Sequence, residues 1–325
     1  MAGPPRPGAS TFTIEGRSAP GLFVVGWLAS LVGLGAIVVA FMAGRTVGAT
    51  IMLVGGLAAL AIGLVAGAGS QAIERRVRGV RAYAGPSPFL VFAASIPIAG
   101  LIVIGAGLLF GVAGVSVDSP LGRLVSVAIS ALVYLGLIRL LVVDAGALSW
   151  ADMGVHRLDG RALRALAGGA MWALPVILAT LPVAYLVSRL VPVTPTSPLP
   201  PTGETVGFAV NLLAGALIAP IGEELMFRGL ATTAWVRGMG EGRGLIRAAF
   251  FFAVVHVLTL SGATAGEAFG LALAAFVTRV PVALALGWLF VRRRSIWASI
   301  GLHAAFNATL LTLAEFAARN PVPAG

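Results

Sequence analysis

Residues 207–230 read GFAVNLLAGALIAPIGEELMFRGL. No charge interrupts the run as far as Gly222, and then Glu223, Glu224 and Arg228 fall within six residues. As a helix this stretch is about 36 Å long, enough to cross a hydrocarbon layer of roughly 30 Å. A β-strand of a membrane barrel would alternate apolar and polar residues instead, and this run does not. Charges placed inside such a span are costly and by default mark a functional site.

The rest of the chain has the same texture. Of 325 residues 58% are apolar and 10% charged, and mean hydropathy is +1.00, whereas soluble domains carry roughly 25% charged residues. The apolar runs predict an all-α polytopic transmembrane bundle of about nine spans, with eight as the alternative count: roughly 21–43, 48–69, 89–115, 124–143, 165–190, 206–230, 247–262, 268–291 and 296–317. The first 20 residues are polar and Pro-rich, and the run after them is too long for a signal-peptide core, so a retained first span is expected. The expected organisation is a polar N-terminus at 1–20, a four-span region at 21–143 and an amphipathic connector at 144–164. A second membrane domain at 165–317 and a tail at 318–325 complete it. The second span is Gly-rich, which suits close helix contact. The Pro-rich stretch 191–205 reads as an outer loop of polyproline character with no chemistry assigned.

A net charge of +10 would suggest nucleic acid in a soluble protein. Here the basic residues lie between apolar runs, where they orient helices, so no nucleic-acid partner is expected and the lipid bilayer is. With the N-terminus inside, sixteen arginines fall in inner segments and four in outer ones, while Arg139 and Arg279 lie within spans. That asymmetry predicts a cell-membrane protein with N-in, C-out topology. All 22 basic residues are Arg, a compositional hint of a GC-rich prokaryotic genome, and the absence of Cys excludes thiol nucleophiles and disulfides.

Nearly all the ionisable groups expected inside the membrane lie in the last four spans. Glu224 and Arg228 stand at i, i+4 and can pair on their own helix, while Glu223 lies about 100° round and must find another partner. Phe252 and His256 share a face by the same spacing, and so do His303 and Asn307. The topology puts Glu223, His256 and His303 in the inner half of the layer, implying a pocket open to the cytoplasm. A carboxylate and an imidazole facing one water can act as its general base, and a second imidazole with a carboxamide can stabilise an oxyanion. The set points to hydrolysis. Arg279, in a span with Pro281, could meet a substrate carboxylate or snorkel; His156, in the connector, reads as a solvated interfacial residue.

The motifs Glu223-Glu224-x-x-x-Arg228, Phe252-x-x-x-His256 and His303-x-x-x-Asn307 resemble those of the CPBP family of intramembrane proteases, which includes CAAX-processing endopeptidases and bacterial Abi-type proteins. The resemblance covers about 206–317, with a weaker likeness in ADMGVHRL ahead of it, and leaves the first four spans outside. It implies a glutamate-type endopeptidase with no cofactor, acting on a membrane-associated protein or peptide. Glu223 and His256 would activate water, His303 and Asn307 would form the oxyanion site, Glu224 and Arg228 would support them, and Phe252 would line the pocket. Three other readings stay open: a zinc hydrolase ligated by Glu223, His256 and His303, a proton-coupled transporter, and a non-catalytic scaffold or immunity-type protein.

Overall fold

The computed structural model describes residues 12–191, 199–258 and 260–321. Among them are nine helices and no strand. They are α1 (Pro20–Met42), α2 (Val47–Val77), α3 (Pro88–Val112), α4 (Pro120–Val143), α5 (Gly160–Leu190, with a turn at Met171 and Trp172), α6 (Thr205–Met239), α7 (Glu241–Val255), α8 (Ala265–Arg293) and α9 (Ile296–Arg319). Eight of them are long and apolar enough to cross a membrane. The chain is a multi-pass membrane protein.

The exception is α7, and it corrects the expectation of a full ninth span over 247–262. The helix begins earlier, at Glu241, and stops at Val255, giving fifteen residues or about 22 Å. His256 itself ends it. The imidazole Nδ1 lies 2.7 Å from the carbonyl of Phe252, the acceptor that the His256 backbone N–H would use to continue the helix. The N–H of the next residue, Val257, bonds to the Val254 carbonyl at 3.1 Å, a tighter turn that closes the helix. Gly240, at φ 87°, makes the sharp bend that joins α6 to α7.

The chain divides into two compact units, Met1–Val115 with Leu132–Ser149, and Ser116–Ala131 with Trp150–Gly325. In the first, α1 and α2 form an antiparallel hairpin. Gly33 of α1 and Gly63 of α2 face the partner backbone so closely that a Cβ on either would collide with it. Lipid tails give apolar side chains no reason to leave them, so such close backbone packing is what holds membrane helices together.

In the second unit the residues before α5 act as a clasp. Asp159 caps α5 by accepting from the backbone N–H groups of Arg161 and Ala162 at 2.9 and 3.0 Å. The carbonyl of Gly154 accepts from Ile296 N–H at 3.0 Å, and that of His156 from the Trp297 indole at 3.0 Å, so the segment ADMGVH holds the start of α9. The His156 ring is exposed, as expected. Further along, Gly169 and Gly301 put the backbones of α5 and α9 in contact. A core of Ala173, Val176, Val282, Leu286, Ala298 and Leu302 then locks α5, α8 and α9 together. This fixes α9 two residues before His303.

Of the Pro-rich stretch 191–205, residues 192–198 lie outside the described residues. Its end is anchored, with Thr202 N–H donating to Glu315 at 2.8 Å and Asn211 to the Pro200 carbonyl at 2.9 Å.

Candidate active site

The helix that carries the two glutamates is not a uniform α-helix. Residues Leu213–Ile218 and Leu225–Thr232 are wound as wider π turns, and Glu223 and Glu224 sit on the short α stretch between them. Such turns leave the backbone less regularly paired and recur at functional sites. Here the cause of one gap is visible. In the i→i+5 frame the last bond runs from Ala219 N–H to the Ala214 carbonyl. The next would need an N–H from Pro220, which has none. The Gly215 carbonyl is left over, and Asn307 on α9 donates its Nδ2 to it at 2.8 Å. Asn307 therefore ties α9 to α6 with one amide hydrogen and keeps a second to donate.

One turn below, His303 meets the glutamates. Its Nδ1 lies 2.8 Å from Glu224 Oε1, the same atom that accepts from Arg228 at 2.8 Å. The i, i+4 pair foreseen from spacing forms, and it is fully enclosed: the Glu224 side chain is 0% exposed and that of Arg228 2%. A second nitrogen of Arg228 reaches the Ala283 carbonyl of α8 at 3.3 Å, and its guanidinium carbon stands 4.3 Å over the Phe252 ring. Phe252 is buried and packs against His256 at 4.2 Å and His303 at 5.9 Å between ring centroids. It is a platform beneath the imidazoles as well as a wall.

Glu223 points the other way, as the 100° offset requires. Its Oε2 lies 3.3 Å from His256 Nε2 and 3.8 Å from His303 Nε2, and its side chain is 23% exposed. The structure thus brings Glu223, His256 and His303 around one point, with Asn307 one turn from His303 on the same face. Arg279 of α8 is half-buried, donates to the Ala275 carbonyl of its own helix at 3.0 Å, and is near enough to Glu223 for their charges to interact.

Protons follow from the partners. The Phe252 carbonyl and the Glu224 carboxylate can only accept, so each Nδ1 carries a hydrogen. The neutral imidazoles then present bare Nε2 lone pairs towards Glu223. A further proton taken up among Glu223, His256 and His303 would be shared across the 3.3 and 3.8 Å separations between them. Wherever that proton rests, it makes one of the three a donor and leaves another free to accept from water.

Among the described residues no group of three or more His, Asp or Glu side chains is arranged to hold a metal ion. The spacing argument did not anticipate that Glu224 serves His303, nor the buried Glu315, whose signal was an acid within an apolar run four residues before Arg319.

Residues 205–309 match the family described as Rce1-like type II CAAX prenyl endopeptidase. This segment is Rce1-like. The match is consistent with the CPBP and CAAX proteases that the motifs resemble, and the family's description is that of an endopeptidase. The Rce1-like segment holds every residue of the site, from Gly215 to Asn307, and spans about a third of the chain. The whole first unit, together with the clasp before α5, lies outside it. Neither a curated protein nor a solved structure matches the chain.

Proposed function

We propose that the protein is an intramembrane endopeptidase of the glutamate type that hydrolyses peptide bonds of membrane-associated proteins or peptides. The observation that carries the reading is Glu223 Oε2 at 3.3 Å from His256 Nε2 and 3.8 Å from His303 Nε2. A water at that point gives a proton to the Glu223–His256 pair as its oxygen attacks the scissile carbonyl. The tetrahedral oxyanion is met by His303 Nε2–H in the protonated ring and by the second amide hydrogen of Asn307. The proton taken from water passes to the leaving nitrogen as the C–N bond breaks.

Glu224 and Arg228 hold His303 in orientation and keep its Nδ1 protonated. Arg279, a cation near the middle of α8, is placed for a substrate carboxylate, as a peptidase cutting near a C-terminus needs. With α7 counted as a short ninth passage, the arginine asymmetry favours the cell membrane, with the N-terminus and the mouth of the site on the cytoplasmic side. No metal is part of the mechanism. The test compares the membrane proteomes of cells carrying wild type and Glu223→Ala. Full-length substrates should accumulate only with the variant. Purified enzyme should stay active after exhaustive chelation, and loss of activity restored by zinc would replace the scheme with a metal-assisted one.

A further inference from the structure

The first unit carries a groove that the peptidase reading does not use. It lies between α1, α2 and the end of α4, encloses about 780 Å³, and is apolar along its length except at one end, where Arg76 stands. Small residues open it: Ala61, Ala66, Gly69 and Ala72 form its floor on α2, between Leu22 of α1 and Leu140 of α4. We infer that this groove is a binding site for one anionic phospholipid, with an acyl chain along α2 and the phosphate at Arg76.

Length and charge choose the occupant. From Ala61 to Arg76 the floor rises about 22 Å, which matches one bilayer leaflet with its headgroup layer, roughly 20–22 Å. The cation therefore sits at headgroup height when the groove is filled by a tail. Four arginines gather at that end, against two acids. Glu74 lies 3.6 Å from Arg78 and accepts from Ser18 N–H, while Asp144 lies 3.6 Å from Arg139. Arg75 and Arg76 remain in excess. Among the described residues they donate to the carbonyls of Gly85 and Ala145, which leave their charge uncancelled. Arg76 is exposed, and a guanidinium has five N–H donors to offer a phosphodiester. A neutral isoprenoid or a zwitterionic lipid would leave this excess charge unanswered.

The test uses native mass spectrometry of the full chain in detergent with phosphatidylglycerol or phosphatidylcholine of identical chains. Phosphatidylglycerol should be retained preferentially, and Arg76→Gln, at an exposed position, should lower its retention about fivefold, the effect of one arginine near a membrane surface. Gly69→Leu should abolish retention without lowering the Tm, because a Cβ there meets only Leu22, at 3.6 Å, and helix propensity improves. Equal retention of the two lipids, or wild-type retention in either variant, overturns the assignment. Displacement of phosphatidylglycerol by a farnesylated peptide with no dependence on Arg76 also overturns it, and would give the groove to substrate. Proteolytic activity is not read, so failure of the peptidase scheme leaves these outcomes intact.

Discussion

His303 and Arg228 share a single oxygen of Glu224, each at 2.8 Å, inside a part of the bundle closed to solvent. Removing that carboxylate strands a buried guanidinium. Glu224→Ala should therefore destabilise the protein by about 3–5 kcal/mol, measured by thermal unfolding in detergent, and abolish activity with it. Glu223→Gln is the contrast. Its side chain is partly exposed and, among the described residues, makes no ion pair with an arginine, so the Tm should stay near wild type while kcat falls by about 10³-fold. Equal stability losses in the two variants would contradict this division of labour.

Asn307 answers a carbonyl that Pro220 leaves without a donor. Asn307→Ala should cost about 1–3 kcal/mol for the orphaned acceptor. If its second hydrogen also meets the oxyanion, kcat should fall by about 10²-fold or more with KM little changed. Replacing Pro220 by Ala separates the roles, since it supplies an N–H in this region. In the double variant Pro220→Ala/Asn307→Ala stability should recover while the loss in kcat persists.

Gly301 touches the α5 backbone two residues before His303. A methyl there would strike Leu166, so Gly301→Ala should destabilise by about 1–3 kcal/mol and lower activity by moving His303. Gly287 of α8 is the control, because a Cβ there makes an ordinary 3.5 Å contact with Leu245. Gly287→Ala should leave both Tm and activity intact.

The Asp159 carboxyl is held below the usual range by the N–H groups of Ala162 and Arg161 at the start of α5. A lowered value in the folded state means that its contribution is present above the ordinary carboxylate range and lost as pH falls through the folded value. Asp159→Ala should lower the Tm at neutral pH and flatten its acid limb, and Asp159→Asn should keep most of the cap.

How much of this was legible depended on how local the cause was. The Glu224–Arg228 pair follows from helix geometry alone, and so does the divergence of Glu223. The close packing of α1 and α2 was written in the Gly-rich second span. The meeting of Glu223 with two imidazoles was legible only as an alignment of depths, since it depends on how three helices pack. The π turns left no pattern beyond Pro220, and the role of Glu224 towards His303 could not be seen from spacing because it crosses from α6 to α9. The length of α7 was misjudged because hydropathy counts residues 256–262 as apolar. It cannot register that the chain turns at His256, where Val257 N–H bonds to the Val254 carbonyl.

That shortened helix bears on how a hydrolase obtains its co-substrate inside oil. A wall about 22 Å tall stands in a layer of roughly 30 Å. Lipid meeting such a mismatch thins or lets the interface dip. α7 stops at Val255 and α8 begins at Ala265, so the apolar wall breaks off beside the imidazole that faces Glu223. The same side chain that serves in the chemistry thereby marks where the apolar wall of the bundle ends.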